Sequence, residues 1–549
     1  MPPRRQPAFI EYLAVCLLLW ALAVALQSQA GAFRAEFSSH PDESAHYITG
    51  LMIRDYLASG HFAAPLPYAE QYYLHYPKVA LGMWPPFFHG IEALWILIFS
   101  PSKLSVLLLM ALIAAATGAS IYYLVRLRYA RIAALAAAVL YVLAPLTQSS
   151  TAAVMADGLV ALLDLWAAVY FVRFLEQERT QDAIVFGLFA VLAMATKANG
   201  VALLLLPVIA IPLTRRWPLL RARGLYYAAA IILLCGAPWP VLSYIMIARS
   251  MGGEPVTLQI IAGTALAYLR VLWTTLGWGL APLGLLGMII NLIRLPKPPL
   301  DPVLASACTL FFSVWTYHSL IGNGDSRYML AALPPALILV VSGFVWLVRN
   351  LPLAVVPVPA RAAALAALGI ILFVTQTWTV PPKAYQGFDQ PAHFLLTTPA
   401  FAHGNFLVVS HARGEGAFIS EIAMHDRRPG HIVLRSTKVL SSSTWYGTAY
   451  QLRYQTGSQL RDLLDDVPIQ AIALDTRPPR DGPDEAAFRL EKQVATALQG
   501  DPHWKLLDHY PKLPGVSPWI DLYSRVGPQP TGPIRLDLHY TLGRDITIP

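Results

Sequence analysis

The sequence predicts a polytopic α-helical membrane protein of about eleven transmembrane helices, followed by a soluble C-terminal α/β domain. Three observations carry this reading. Of the 549 residues, 56% are hydrophobic and only 13% charged, against about 25% charged in soluble domains. Apolar runs of spanning or near-spanning length recur as far as residue 380 or so. Beyond that point short strand-like stretches alternate with amphipathic helical ones. The mean hydropathy is +0.51. The 14 Trp and 25 Tyr suit the two membrane–water interfaces, where amphipathic rings settle.

A bilayer core needs about 20 apolar residues in a helix. On that basis the spans fall near 9–30, 102–125, 132–147, 158–175, 183–196, 199–214, 224–246, 270–293, 303–320, 328–348 and 362–380. The start "MPPRRQ" before an apolar stretch imitates a signal peptide, and "QSQAGA" a cleavage site. The many later spans favour a retained first helix. With the N-terminus in the cytoplasm, the inner connections hold Arg126, Arg128 and Arg131; Arg173 and Arg179; Arg215, Arg216, Arg221 and Arg223; Arg294 and Lys297; Arg349 and Arg361. The short outer connections hold only Lys197, Arg249 and Arg327. This asymmetry sets the orientation by the positive-inside rule. A long first loop, residues 31–101, and the tail, residues 381–549, then lie outside.

The tail follows the linker "VPPKAYQGFDQP". "NFLVVS", "HIVLR", "IQAIALD" and "WIDLYSRV" read as strands. "GEGAFISEIAMHD", "GSQLRDLLDD" and "DEAAFRLEKQVATALQ" read as helices. Alternating signals of this kind imply an α/β domain. The chain thus divides into a membrane domain, 1–380, and an outer domain, 381–549. Cys16, Cys235 and Cys308 lie singly in apolar runs, so neither disulfides nor a thiolate zinc site is expected. No basic run interleaved with aromatics suggests a nucleic-acid partner.

The first outer loop opens with "SSHPDESAHY". Pro41 fits the entry to a helix that ends at Gly60, and Asp42 and Glu43 suit its positive end. One turn separates Asp42 from His46, and Glu43 aligns with Tyr47 and Arg54. Leu51, Met52, Ile53, Tyr56 and Leu57 give this helix an apolar side for the membrane surface. Acidic residues at a helix start are also common capping features. Other polar residues recur at outer span ends: Asp157 opening the fourth span, Lys197 between two spans, and Arg327 with Tyr328 opening the tenth. A helix-start acid, a snorkelling lysine and an interfacial anchor explain each singly. Together they set carboxylates and cations on one side of the membrane, as a charged lipid headgroup requires. Asp164, inside the fourth span, reads as a buried polar contact.

The stretches "HPDESAHYITGLMIRDYL", "HYPKVALGMWPPFFHG", "MADGLVALLDLWAAVYFVRF", "GLFAVLAMATKANGVALLLLP" and "SRYMLAALPPALIL" occur in the order seen in a known group. Over about residues 9–350 the chain resembles the C-type (GT-C) membrane glycosyltransferases, in particular the protein O-mannosyltransferase-like (glycosyltransferase family 39 type) and aminoarabinose-transferase-like families. That resemblance implies an integral membrane enzyme moving a sugar from a polyprenyl-phosphate donor to an outer-side acceptor. It places Asp42 on the catalytic base, Glu43 beside it, and Asp157 on the second-loop acid. It sets Lys197, Arg327 and, more loosely, Lys78 toward the donor phosphate. By helix spacing and position, His46, Tyr47, Arg54 and Tyr328 are expected in support. The "YPKVALGMWPPF" stretch departs from the "KPP" pattern of the aminoarabinose group.

Such a transfer needs a carboxylate to take the acceptor proton and cations to stabilise the leaving phosphate. Adjacent residues on a helix diverge, so Asp42 and Glu43 do not form a retaining pair, and inversion is expected. His40, Asp42, Glu43 and His46 carry atoms that ligate metals, yet no cofactor is expected. The acceptor is a lipid, glycan or protein hydroxyl, and the setting a bacterial cytoplasmic membrane. The competing classes are a transporter or lipid flippase, which places its charges nearer the midplane, and a non-catalytic scaffold using the outer domain.

Overall fold

In a computed structural model, residues 8–60, 62–80, 82–247, 256–351, 356–442, 451–476, 485–513, 516–536 and 546–548 are described. Arg249 and the N-terminal arginines lie outside them.

Among the described residues, eight helical segments are long and apolar enough to span a membrane. They are α1 (Phe9–Gln29), α5 (Lys103–Arg126), α8 (Asp157–Gln177), the segment Arg223–Ile245, α13 (Leu258–Arg294), α14 (Pro302–Ile321), the segment Ser326–Asn350 and α16 (Val358–Gln376). The segment Arg223–Ile245 combines α11 (Arg223–Ile231), a π turn and α12 (Pro238–Ile247). Ser326–Asn350 combines a 3₁₀ turn, Ser326–Ala332, with α15 (Leu333–Asn350). A ninth span counts only if α6 (Arg131–Leu143) and α7 (Pro145–Thr151) are taken together, across a bend of 59°. Pro145 removes a helix donor at that bend.

The count of eleven is therefore corrected to eight or nine. The two other expected spans are α9 (Thr180–Thr196) and the segment Ala198–Thr214, which is a 3₁₀ stretch followed by α10 (Leu205–Thr214). Each has 17 residues, so even a straight helix would reach only about 25 Å, short of a ~30 Å hydrocarbon core. Lys197 sits at the break between them in extended backbone.

α13 is two helices rather than one, because Gly277 takes φ +67° within it. Its second half crosses α15 at backbone contact distance. A Cβ at Gly287 would overlap the Leu339 carbonyl, and one at Gly343 the Leu283 carbonyl. Small residues permit this closeness, and dispersion then holds the pair where hydrophobicity offers little drive in lipid.

The first loop folds into α2 (Pro41–Ser59), α3 (Pro65–His75) and α4 (Pro86–Ile98). Pro41 is the first helical residue of α2, and His40 caps it: its Nδ1 accepts from the Asp42 N–H at 3.1 Å. Gly60 ends it with φ +68°. The expected membrane-surface helix is not what α2 becomes. Residues 43–51 are all buried, and α2 packs between α4 and a helix of the C-terminal region. Protein covers its first half through Leu51, while Met52, Ile53, Tyr56 and Leu57 stay partly exposed.

The C-terminal region contains α17 (Asp389–Thr397), β1 (Phe406–Val409), α18 (Ala412–His425), β2 (Val433–Arg435), α19 (Ser436–Val439), β3 (Ser441–Ser442), β4 (Gln451–Leu452), α20 (Gly457–Asp466), β5 (Ala471–Asp475), α21 (Glu485–Leu498), β6 (Trp504–Leu513), β7 (Val516–Arg525), β8 (Ile534–Leu536) and β9 (Ile546–Ile548). Its main sheet runs β2-β1-β5-β7-β6. β1 pairs in parallel with β2 and β5, and β7 is antiparallel to β5 and β6. All four expected strands and all three expected helices are present. β6 was not anticipated, since Asp508, His509 and Pro511 interrupt its alternation.

The linker between the two regions is sewn to the start of the first loop. Lys383 N–H donates to the Ala30 carbonyl at 2.9 Å, and Glu36 accepts the N–H groups of Gln386 and Phe388 at 2.9 and 2.6 Å. Lys383 Nζ meets Glu43 Oε1 at 2.6 Å with both side chains fully buried. Breaking one side of such a pair strands a charge, at about 3–5 kcal/mol. Lys383→Met is therefore expected to lower the thermal midpoint of the detergent-solubilised protein sharply, and adding Glu43→Gln to restore part of it. A midpoint unmoved by Lys383→Met would show that the pair does not anchor the linker.

Candidate functional site

A cavity of about 360 Å³ opens where the bundle, the first loop and the C-terminal region meet. α2 brings Asp42 to it from its first turn. The break after α9 supplies Lys197, and the 3₁₀ turn before α15 supplies Arg327 and Tyr328. Lys78 enters from the segment between α3 and α4.

Asp42 Oδ2 accepts from Arg327 Nη2 at 3.0 Å and lies 3.3 Å from His40 Nδ1. Burial works against its ionisation. The neighbouring His40 and the Arg327 guanidinium outweigh burial and hold the carboxyl well below the usual carboxylate range. Arg327 Nε in turn lies 2.9 Å from Asp325 Oδ2. Lys197 Nζ donates to both oxygens of Asp157, at 2.9 and 2.8 Å. Asp157 stands behind Lys197, at the start of α8. Tyr328 lies under both cations, its ring centre 5.5 Å from Lys197 Nζ and 5.3 Å from Arg327 Cζ. His318 stacks on its other side at 4.8 Å. Such cation–π contacts favour a partly dehydrated ammonium or guanidinium.

Lys78 is buried and donates to the Ala412 carbonyl at 3.0 Å, with the Pro41 carbonyl at 3.5 Å. Burial, then the neighbouring charge of Arg435, push its pKa down to about 7. Arg435 itself lines the cavity, with Nε 2.7 Å from Glu415 and Nη1 donating to the Pro77 carbonyl at 3.3 Å. The C-terminal region thus contributes part of the cavity wall.

The cavity gathers Asp42, Lys78, Lys197, Arg327 and Tyr328, with Asp157 directly behind. It does not gather the rest. Glu43 points to Lys383 and also accepts the N–H groups of Ser39 and Val154, at 2.7 and 3.3 Å. Tyr47 donates to the Pro101 carbonyl at 2.8 Å. Arg54 pairs with Asp55 at 2.6 Å near the far end of α2, where Arg428 of the C-terminal region reaches the same carboxylate at 2.8 Å. His46 is buried behind Trp84, stacked on it at 4.0 Å and hydrogen-bonded to His89 at 3.0 Å. A helix turns about 100° per residue, which separates Asp42 from Glu43. Sequence reasoning missed His40, Trp84, Asn199, Asn323, Asp325 and Arg435 as cavity residues. Asp325 had a local signal, two residues before Arg327 in "GDSRY"; Arg435 had none.

Two groups among the described residues bring potential metal-ligand atoms within 4.8 Å of one another. They are His411, Asp475 and Glu491, all buried, and the more exposed Asp465, Asp501 and His503. Both belong to the C-terminal region. His40, Asp42, Glu43 and His46 are not brought together as a ligand set. A second cavity, apolar and of about 400 Å³, lies between α13, α14 and α15, with Trp273, Met288, Phe312 and Trp315 among its walls.

The profile of the family described as dolichyl-phosphate-mannose-protein mannosyltransferase matches residues 84–242. That stretch includes Asp157 and Lys197 but not Asp42 or Arg327. A search of curated proteins by sequence finds no match. The fold is similar to that of ArnT from Cupriavidus metallidurans, both in the apo state and bound to undecaprenyl phosphate. Each comparison gives a TM-score of 0.57 at 14% identity, over 95% of this chain and 99% of that one. The oligosaccharyltransferase of Archaeoglobus fulgidus, tethered to an acceptor peptide containing the NVT sequon, superposes with a TM-score of 0.51 at 12% identity. That match covers 84% of this chain and 69% of the other. The molecule is an integral membrane protein that shares the fold of ArnT, a polytopic helical domain followed by a C-terminal β/α region.

The titration of Lys78 gives a pH signature. Between about pH 7 and the ordinary lysine value of about 10.4, the unfolded chain holds a proton that the folded chain does not. Stability therefore rises with pH across that window. Lys78→Met is expected to flatten the rise, measured as thermal midpoint against pH from 7 to 10. An unchanged slope would rule out a depressed Lys78.

Proposed function

We propose that this chain is a glycosyltransferase that moves a sugar from a polyprenyl-phosphate carrier to a lipid, glycan or protein hydroxyl, with inversion. The observation that carries this is the meeting of Asp42 with Lys78, Lys197 and Arg327 around one cavity beside the apolar bundle. Its volume falls in the range of small-molecule sites, about 300–1,000 Å³. The fold shared with ArnT, one of whose structures holds undecaprenyl phosphate, supports a carrier of that class. The apolar cavity between α13, α14 and α15 suits a prenyl tail.

In this reading the acceptor oxygen bonds to the anomeric carbon as the bond from that carbon to the phosphate oxygen breaks. The bonding pair leaves on the phosphate, and the acceptor proton goes to Asp42. Arg327 and Lys197 stabilise the growing charge. Asp157 keeps Lys197 protonated and in place, and Lys78 meets the phosphate from the other wall. Asp157 has both oxygens on Lys197, and Asp325 is tied to Arg327. Neither stands ready as a second, nucleophilic carboxylate, which favours a single inverting displacement over a retaining one. The reaction proceeds without a metal in this scheme.

We place the membrane domain at residues 1–380 and the outer domain at 381–549. The N-terminus is cytoplasmic, and the cavity and the C-terminal domain face outward from a bacterial cytoplasmic membrane. A transporter reading fits less well, because the charged groups collect around one end cavity.

The test is transfer. Purified full-length protein in detergent, given radiolabelled polyprenyl-phosphate sugars and membrane extract, is expected to label an acceptor. Asp42→Asn should reduce the rate by about 10²–10⁴-fold, the usual share of a positioned base. Undiminished transfer by a folded Asp42→Asn protein would remove Asp42 from the chemistry. Absence of transfer from every donor would remove the enzyme reading.

A further inference from the structure

We propose that Asp42 is an exchangeable counter-ion of Arg327, displaced from the guanidinium by the phosphate of the incoming carrier, and released as a base only by that exchange. The proposal rests on the reading of the cavity as a polyprenyl-phosphate site.

The geometry distinguishes the two carboxylates on Arg327. Asp325 is locked. It caps the 3₁₀ turn, with Oδ1 accepting the Arg327 N–H at 3.1 Å, while Oδ2 sits 2.9 Å from Nε of the same residue. The Tyr328 N–H donates to its carbonyl at 3.2 Å, and the Gly324 N–H before it donates to the Tyr268 hydroxyl at 3.1 Å. Asp325 cannot turn away without uncapping the turn. Asp42 touches Arg327 at Nη2, through Oδ2. Its helix is held independently, by the His40 cap and by Glu43 on Lys383. His40 Nδ1, the capping atom, also lies 3.3 Å from Asp42 Oδ2 and 3.5 Å from Arg327 Nη1, but the cap accepts from the backbone N–H and so survives opening of the Asp42–Arg327 contact.

An anion has reason to open it. Lys197 already gives two of its three N–H donors to Asp157. The Nη edge of Arg327 is the cation face that a tetrahedral anion gains by substitution, and a guanidinium accepts phosphate in the same forked geometry as carboxylate. In the empty site Asp42 is ion-paired and a weak base. When phosphate takes the Nη edge, the Arg327 share of that stabilisation is lost and an anion stands beside the carboxylate, so its affinity for a proton rises as the acceptor must give one up. Once the proton has moved, Asp42 is neutral and no longer repels the phosphate beside it. Donor binding thus precedes activation of the acceptor, so water is not activated while the donor is absent.

The test is binding of a short-chain polyprenyl phosphate without sugar to the full-length protein in nanodiscs, read by calorimetry. Asp42→Asn is expected to bind it about fivefold more tightly, the change that follows from losing one competing ion pair. In an Arg327→Gln background the same substitution should give no gain. Asp325→Asn, which retains a capping oxygen, should gain clearly less than Asp42→Asn. Three results overturn the exchange: unchanged or weaker binding by Asp42→Asn, an equal gain in Asp325→Asn, or a gain that persists without Arg327. The last two would mean a general charge effect. If the wild-type protein binds no polyprenyl phosphate, the functional reading falls and the exchange with it. If it binds and only the gain is missing, the exchange falls alone. Inorganic phosphate titrated in parallel separates a lipid headgroup site from a free-anion site: equal affinity for the two would overturn the lipid assignment.

Discussion

The geometry of the cavity depends on a buried ion pair that is not part of its lining. Glu43 and Lys383, fully enclosed and 2.6 Å apart, join the start of the first loop to the strand of chain that leaves the last span. Two such charges in the interior are tolerated only when each has the other and further hydrogen bonds. Glu43 has them in the N–H groups of Ser39 and Val154, and Lys383 has the Phe37 ring 5.1 Å away. Once that knot is tied, the first turn of α2 has one orientation. Asp42, one residue earlier on the helix, must then point toward Arg327. The same knot brings the C-terminal region down onto α2, where Arg428 meets Asp55 and Lys78 meets the Ala412 carbonyl.

Much of the fold was legible in the sequence because lipid imposes one simple demand. A spanning helix must be long and apolar, and such runs are visible without tertiary knowledge. The miscount came where run length was a poor guide. Pro145 bends one candidate, and the extended backbone at Lys197 divides two more. A hydropathy pattern does not register such breaks, although Lys197 and Arg327 both sit at or next to irregular backbone. The C-terminal strands were legible by their β-branched and aliphatic runs. The edge strand β6 was not, because its outward residues are those a turn would also use.

The site was legible in part, for a reason that follows from helical geometry. "DE" in "SSHPDESAHY" reads as one acidic pair. Placed on a helix it becomes two residues with separate tasks, Asp42 in the cavity and Glu43 in the interior. The pairing of Glu43 with Tyr47 and Arg54 by spacing was correct as helix arithmetic, but those residues face the enclosing protein. Lys197 and Arg327 were found because charges at span ends are costly and therefore informative. Asp325 and Arg435 were missed for opposite reasons. Asp325 looks like any turn aspartate until its carboxylate is seen to grip Arg327 from both backbone and side chain. Arg435 reaches the cavity only through the docking of a separate region, which no local pattern records.

The balance of charge around the cavity narrows what can bind there. Asp157 neutralises Lys197, while Asp42 and Asp325 flank Arg327. The floor is therefore well compensated before any ligand arrives. A surface with unpaired cations would hold any anion, including free phosphate from the medium. A compensated one requires an anion to bring additional binding energy with it, enough to replace a carboxylate already in place. A carrier lipid has such energy in its apolar tail, at about 25 cal/mol for each Å² of apolar surface removed from water. Lys78 is less balanced, since it rests on the Ala412 and Pro41 carbonyl oxygens and burial pushes its pKa down to about 7. An amphiphilic phosphate can be drawn by its tail, meet Lys78 as a readily protonated partner, and complete its binding at the Arg327 edge. If the proposed carrier binds here, the pre-paired state of the cations sets its selectivity as much as the cations themselves.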